Sequence, residues 1–303
     1  MLEFKTINIT DFPLLTEYFS VQDYKLCDYS VGAIFMWKDF FSAKYALYED
    51  FLFFQSNYND REKCFSFPIS IKDNSSENIK KAIRIMEEHS RSQNIRVINY
   101  INVPTAGLAM LEAVYGDRIK AEADRDWFDY LYNFNDMLTF EGRKYNGQRN
   151  HINKFVRNYP DYSFEPITRD NQNRLIEFYD NYLKDNPGKD EIETNELIMT
   201  RRLIEEYFNL PMTGGILTVG GRIAGFTIGE IINKVLFVHV EKAVLDYKGI
   251  YPVIVREFAR MNADKNILYI NREEDVGNPG LRKSKLSYHP LTLLEKYTAE
   301  VAI

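Results

Sequence analysis

The stretch from Asn271 to Tyr288 concentrates side chains that could do chemistry. It opens with Asn271-Arg272-Glu273-Glu274-Asp275 and closes with Arg282-Lys283-Ser284-Lys285-Leu286-Ser287-Tyr288. Arg282 and Lys285 stand three residues apart, so a helix would set them on one face. There an arginine can grip a phosphate or carboxylate with two parallel N–H bonds, and a lysine adds a point charge. A solvated basic helix face is the competing reading. Glu241, Glu273, Glu274 and Asp275 could each take a proton from an amine or hydroxyl. Taken singly, a surface carboxylate or a salt bridge to Arg272 or Lys285 explains them as well. Gly249, at the start of another helix, would let backbone N–H groups approach an anion, or would simply shape the turn.

Several chemistries are disfavoured. His89, His151, His239 and His289 show no HxxxH or HxH spacing, and Cys27 and Cys64 form no CxxC pair, so no metal site is expected. No GxSxG elbow, GxxxxGK[ST] loop or GxGxxG after a strand is present, which argues against serine hydrolysis, nucleotide hydrolysis and simple NAD binding. The net charge of -6 disfavours a long nucleic-acid surface, though not a local basic pocket. Hydrophobic residues at 45% and charged residues at 27% describe an ordinary globular chain. The start of the sequence lacks a basic n-region and a long apolar run, and its most apolar stretches are too short to cross a bilayer. The expectation is a cytoplasmic protein without a transmembrane segment.

The elements that must position these residues repeat. Short strands at 51–55 and 64–69 flank a polar turn at 57–61, an amphipathic helix follows at 77–93, and a buried strand at 95–101. The second half has strands at 215–219 and 223–232 joined at Gly220-Gly221, which suits the positive φ angles of a tight hairpin. A third strand at 235–240 follows the turn at Asn233-Lys234. A helix at 249–264 and a strand at 267–270 complete the pattern. Asn94-Ile95-Arg96-Val97-Ile98-Asn99 aligns with Asn266-Ile267-Leu268-Tyr269-Ile270-Asn271. After a one-residue shift, Gly107, Leu108 and Tyr115 fall opposite Gly280, Leu281 and Tyr288. An internal duplication is the expectation, with units at 1–130 and 131–303. Arg282, Lys283 and Lys285 then face Ala109, Met110 and Glu112, so function is expected in the second unit, the first being its degenerate copy. Further helices are expected around 142–145, at 149–159, 171–183 and 196–208.

Arg143-Lys144-Tyr145, the run Arg149-Asn150-His151-Ile152-Asn153-Lys154-Phe155, and Phe164-Glu165-Pro166 resemble a known group, as do 271–275 and 280–290. The chain is similar to a bacterial family of uncharacterised proteins related to the C-terminal domain of phosphatidylglycerol lysyltransferase. The resemblance implies an α/β (α+β) fold of two tandem GNAT-like acyltransferase units, each a mixed central sheet flanked by helices, with Fem-type aminoacyltransferases as relatives. It implies transfer of an acyl or aminoacyl group to an amine or hydroxyl. Aminoacyl-tRNA or acyl-CoA is the candidate donor, an anionic small molecule being the other partner considered. The expected roles are Glu241 or Asp275 as base and Tyr288 as proton donor to the leaving oxygen. Asn271, Arg272, Arg282, Lys283, Lys285 and Gly249 would bind substrate. Arg143, Lys144 and Arg149 would form a basic edge for a tRNA acceptor stem or phosphate. Two features depart from the pattern. The chain carries no membrane-embedded domain, and Asp246-Tyr247-Lys248-Gly249-Ile250-Tyr251 replaces the [RQ]xxGx[GA] loop of acetyl-CoA enzymes, with Asp246 and Tyr251 where a pyrophosphate would lie. A conventional acyl-CoA N-acyltransferase and a non-catalytic anion-binding protein are the alternatives.

Overall fold

The computed structural model describes residues 1–58 and 61–303. The turn expected at 57–61 therefore lies partly outside the described residues. In chain order the first elements are β1 (Lys5–Thr6), α1 (Phe12–Val21), α2 (Val31–Trp37), β2 (Lys44–Tyr48), β3 (Phe51–Tyr58), β4 (Arg61–Ser66) and β5 (Ile69–Ser70). Next come α3 (Ser76–Ser92), β6 (Val97–Pro104), α4 (Thr105–Tyr115), β7 (Ile119–Ala123) and β8 (Asp129–Asn133). The middle holds α5 (Phe134–Thr139), α6 (Asn146–Asn158), β9 (Ser163–Pro166), α7 (Arg169–Asp185) and α8 (Glu191–Glu205). The last stretch is β10 (Met212–Val219), β11 (Arg222–Ile232), β12 (Val235–Ala243), α9 (Ile250–Met261), β13 (Tyr269–Asn271), α10 (Pro279–Ser287), β14 (Thr292–Leu294) and β15 (Lys296–Ala302).

These elements build two compact units, Met1–Asp129 with Leu294–Ile303, and Tyr130–Leu293. Each unit holds one mixed sheet. The first runs β1-β2-β3-β4-β6-β15-β7, with β5 against β3, and the second β14-β8-β13-β12-β11-β10-β9. Both contain the same core motif. Three antiparallel strands lead through a helix to a parallel partner of the third: β4 with β6 across α3, and β12 with β13 across α9. Asn94 and Asn266, matched by alignment, both adopt left-handed backbone, φ 58° and 54°, where the chain leaves the helix. Asparagine tolerates that conformation better than most residues.

The last strands of the two repeats are exchanged. β8, which ends the first repeat, pairs antiparallel with β13 in the second sheet, and β15 pairs antiparallel with β6 and β7 in the first. The final ten residues, expected in the second unit, thus complete the first. A strand such as β6, buried on its faces, needs its outer N–H and C=O groups paired, and β15 supplies that edge.

Local chemistry shapes the second sheet. Gly220 and Gly221 (φ 56° and 74°) and Asn233-Lys234 (φ 46° and 64°) make the tight hairpin turns around β11. α9 packs Val253, Ile254 and Phe258 into a core with Leu217, Ala224, Leu236 and Val238. Each such burial contributes roughly 1.5–3 kcal/mol relative to exposure. α10 begins with Pro279 after Asn278, whose side chain accepts from Gly280 N (2.9 Å) and Leu281 N (3.1 Å).

Candidate active site

β12 and β13 pair at Val235–Tyr269, Leu236–Ile270 and Phe237–Asn271. There β13 ends, while β12 runs on to Ala243. Polar side chains from both occupy the opening. Arg272 Nη2 donates to Glu241 Oε1 at 3.0 Å, with the two side chains 11% and 12% exposed. The Arg272 guanidinium carbon lies 4.7 Å from the Tyr288 ring centre and 6.0 Å from that of Tyr132. Burial raises the Glu241 carboxyl above the usual range, and Arg272 and Lys285 oppose that rise. Burial also pushes the Tyr288 hydroxyl far up, so it stays a neutral donor. Glu241 stands directly across from Thr227 of β11. Thr227 Oγ1 and Arg272 Nη1 are buried and form no hydrogen bond among the described residues. Leaving such an atom unsatisfied costs about 1–3 kcal/mol.

Strand pairing assigns these groups to faces. Gly225 and Gly229 lie against Ile254 and Phe258 of α9, which puts Thr227 and Glu241 on the α9 face. Phe226 packs on Phe178 and Tyr179 of α7, and its partner Lys242 pairs with Glu196 of α8 at 2.7 Å. Glu230 follows Phe226 and Ile228 on that α7–α8 face. It is 1% exposed and meets His239 Nε2 at 2.8 Å. The other ring nitrogen, Nδ1, meets Glu273 Oε1 at 2.8 Å. His239 is the extra residue of a β-bulge, since Ile228 pairs with Val240 and Gly229 with Val238. A bulge re-aims one side chain. Gly229 permits it, because a Cβ there would collide with Phe237 O. Burial works against charging His239, but hydrogen bonds to Glu230 and Glu273 outweigh it and raise its pKa to about 10.

The turn after β13 is held from three sides. Glu273 is left-handed (φ 55°), its N–H donating to Asn271 Oδ1 at 2.7 Å. Lys285 Nζ donates to Arg272 O at 2.6 Å and to Glu274 O. Arg282 grips Asp275 through Nε (3.0 Å) and Nη2 (2.7 Å). Asp275 also accepts from Tyr130 OH (2.5 Å) and Gly277 N (3.0 Å). Its burial alone would raise its pKa, yet these partners hold it near about 2. Backbone conformations of this cost persist only where the surroundings over-determine them.

The residues singled out in the sequence thus divide. Glu241, Asn271, Arg272, Lys285 and Tyr288 converge. Asp275 is committed to Arg282, so it anchors the turn and is a poor base. Arg282 and Lys285 do share a face of α10, but that face turns inward onto Asp275 and the carbonyls, while Lys283 is exposed elsewhere on the helix. Gly249 (φ 90°) approaches the protein's own backbone, a Cβ there lying 2.7 Å from His151 O. Of the basic edge, Arg149 donates to Phe140 O, Gly142 O and Asn146 Oδ1, and Lys144 pairs with Asp136 at 3.0 Å. Arg143 is exposed. His239 and Glu230 escaped sequence reasoning, which tested histidines only for metal spacing. The usable signal was a lone polar residue inside an apolar strand, in Val238-His239-Val240 and Gly229-Glu230-Ile231.

The chain thus holds two units, each a mixed sheet flanked by helices, with the polar cluster in the second. The chain belongs to the phosphatidylglycerol lysyltransferase C-terminal family, which it matches over residues 21–300. A conserved protein of unknown function from Bacteroides thetaiotaomicron is 34% identical, with 99% of this chain and 100% of that one covered and a TM-score of 0.90. The C-terminal domain of an assigned lysylphosphatidylglycerol synthetase from Agrobacterium fabrum shares the fold at 14% identity, covering 97% and 92%, with a TM-score of 0.69. FemX does so at 8% identity, 98% and 96%, with a TM-score of 0.64. The chain also matches an uncharacterised protein of Mycoplasmoides gallisepticum at 26% identity over 176 residues, 57% of this chain and 56% of that protein's length. Among the described residues no helix is long and apolar enough to cross a membrane.

Proposed function

We propose that the protein transfers an acyl or aminoacyl group to an amine or hydroxyl, and that the reaction takes place where β12 and β13 part. One observation carries this reading: Glu241, Arg272 and Tyr288 converge there beside two buried donors that form no hydrogen bond among the described residues, Arg272 Nη1 and Thr227 Oγ1. Donors fixed in a dry site are what a carbonyl needs as its oxygen gains negative charge. Glu241, its pKa raised, is placed to exchange a proton with the reacting groups, and the neutral Tyr288 hydroxyl to protonate the leaving oxygen. Arg282 and Lys285 support this site by fixing the turn that presents Arg272. Lys283, Arg143 and Lys144 remain as surface cations for the phosphates of a large donor.

Family membership favours an aminoacyl donor. The run from Asp246 into the first turn of α9 favours it too, since Asp246 and Tyr251 put a negative charge and a ring where acyl-CoA would set its pyrophosphate. The test offers the full chain bulk [14C]aminoacyl-tRNA or [14C]acetyl-CoA, with ethanolamine as amine acceptor or phosphatidylglycerol vesicles as hydroxyl acceptor. Label is expected to move from the tRNA. Movement from acetyl-CoA alone would reverse the donor assignment. Stabilisation by anionic metabolites without any transfer would mark a binding protein instead.

A further inference from the structure

Three ionisable side chains on the α7–α8 face take no part in the reading above. Glu230, His239 and Glu273 form a linear unit with two contacts of 2.8 Å. An ionised carboxylate only accepts hydrogen bonds, and a ring nitrogen without a proton only accepts too. Each contact must therefore contain one proton, or two lone pairs would face each other. The unit then holds two protons and a net charge of -1, however they are shared. Burying such charge is costly unless it is paired. Within the unit the protonated ring offsets one of the two carboxylate charges. The side chains are unequally buried: His239 is 0% exposed, Glu230 1%, and Glu273 23%. Glu273 is the open end.

Alignment with the first unit marks this group as an addition. Phe237 pairs with Asn271 and Cys64 with Asn99, so the Asn99–Asn271 match sets Phe237 opposite Cys64. Two residues on, His239 falls opposite Ser66 and Glu273 opposite Ile101. Glu230 pairs with Phe237 as Ser56 pairs with Cys64, so Glu230 falls opposite Ser56. The same sheet is built in the first unit with none of the three groups.

We propose that Glu273 takes the proton of the attacking amine or hydroxyl, which approaches from the α7–α8 face, and that His239 and Glu230 are positioning residues behind it. The inference rests on the transferase reading and deepens it by assigning the acceptor's side of the sheet. An acyl carbon between the strands would have Glu273 on one side and Arg272, Glu241 and Tyr288 on the other. As the acceptor's lone pair bonds to that carbon, its N–H or O–H proton passes to Glu273. The donor's C–O bond breaks, and the leaving oxygen is protonated from the α9 side. The proton on Glu273 then restores the group that supplied it, so none is gained or lost. The charged neighbours of Glu273 are His239 with Glu230 behind it, Glu274 and Lys285. On the same face Glu196 and Lys242 are paired with each other, and across the sheet Glu241 with Arg272.

The test is the pH–rate profile of transfer by the full chain, using [14C]aminoacyl-tRNA with ethanolamine. Glu273→Gln is expected to lower kcat by about 100-fold or more with little change in donor KM. His239→Gln removes a positive neighbour that favours the ionised carboxylate, so its acid limb should move to higher pH. Independently of turnover, 15N-histidine NMR should show both His239 nitrogens protonated at pH 8, and one of them released in Glu273→Gln. A Glu273→Gln protein with the wild-type kcat, or an acid limb unmoved in His239→Gln, overturns the proposal and leaves the transferase reading standing. A wild type that moves no label from either donor to either acceptor overturns both.

Discussion

In the first unit the parallel pair β4–β6 stays hydrogen-bonded through Ser66–Ile101, whereas in the second β12–β13 stops at Phe237–Asn271. Given the match of Asn99 to Asn271, the first pair stays closed two residues beyond the point where the second opens. The side chains follow suit. Tyr100, Ile101 and Pro68 in the first unit stand where the second has Arg272, Glu273 and Glu241, and the first two are buried apolar groups. One repeat zips the position shut with hydrocarbon, and the other parts and lines it with charge. Each unit also buries an ion pair, to different effect. In the first, Lys296 of β15 lies 2.8 Å from both Asp129 and Asp28, and Asp129 also accepts from Cys27 N at 2.7 Å. That cluster ties the exchanged strand in place. In the second, Arg272 keeps a donor unused and Glu273 reaches solvent.

If the first unit's charges clamp and the second unit's react, substitutions should separate stability from activity. Asp129→Ala leaves the buried Lys296 with one carboxylate, that of Asp28, instead of two and removes the acceptor of Cys27 N, and should destabilise the protein by about 1–3 kcal/mol in urea unfolding, with little loss of transfer per folded molecule. Arg272→Ala leaves Glu241 buried without its partner and so costs stability as well, but it should also lower kcat per folded molecule by about 10²–10³-fold, the usual cost of one donor to a developing oxyanion. Gly249→Ala strains a left-handed turn against His151 and should cost about 1–3 kcal/mol in thermal unfolding, with no specific effect on anion binding. Lys283→Ala should change stability by less than about 0.5 kcal/mol, and a larger drop in transfer would place that cation on the donor.

The pH dependence sharpens the same contrast. His239 titrates higher folded, near about 10, than unfolded, near its ordinary 6.5. Its contribution to stability is therefore fully present below about pH 6.5 and is lost as pH rises through about 10. Urea unfolding of the wild type should weaken across that window, and His239→Gln should flatten the decline. An unchanged slope would mean that the imidazole is neutral in the fold.

Much of the scaffold was readable from local pattern. Gly220-Gly221 and Asn233-Lys234 specify their turns because few other residues adopt positive φ cheaply. Helical periodicity marked α3 and α9, and the alignment of Asn94–Asn99 with Asn266–Asn271 exposed the repeat. Glu241, Arg272 and Tyr288, singled out in the sequence where a strand or helix of the second unit ends, do come together in the fold. The sequence misled where a residue's partner was remote. Arg282 and Lys285 look like an anion grip, but Asp275 and two backbone carbonyls already occupy them. Gly249 looks like a ligand's glycine, but His151 O stands against it.

The order of strands and helices, their duplication and the charge asymmetry between repeats were determined by the sequence alone, because they depend on neighbours a few residues apart. The exchange of β8 and β15, the opening after Asn271 and the bulge that turns His239 between Glu230 and Glu273 were decided by tertiary structure. Each depends on which distant strand supplies the hydrogen bonds, and in which register. A one-residue change of register moves a side chain to the other face of the sheet, so no local pattern could say that His239 would meet two carboxylates.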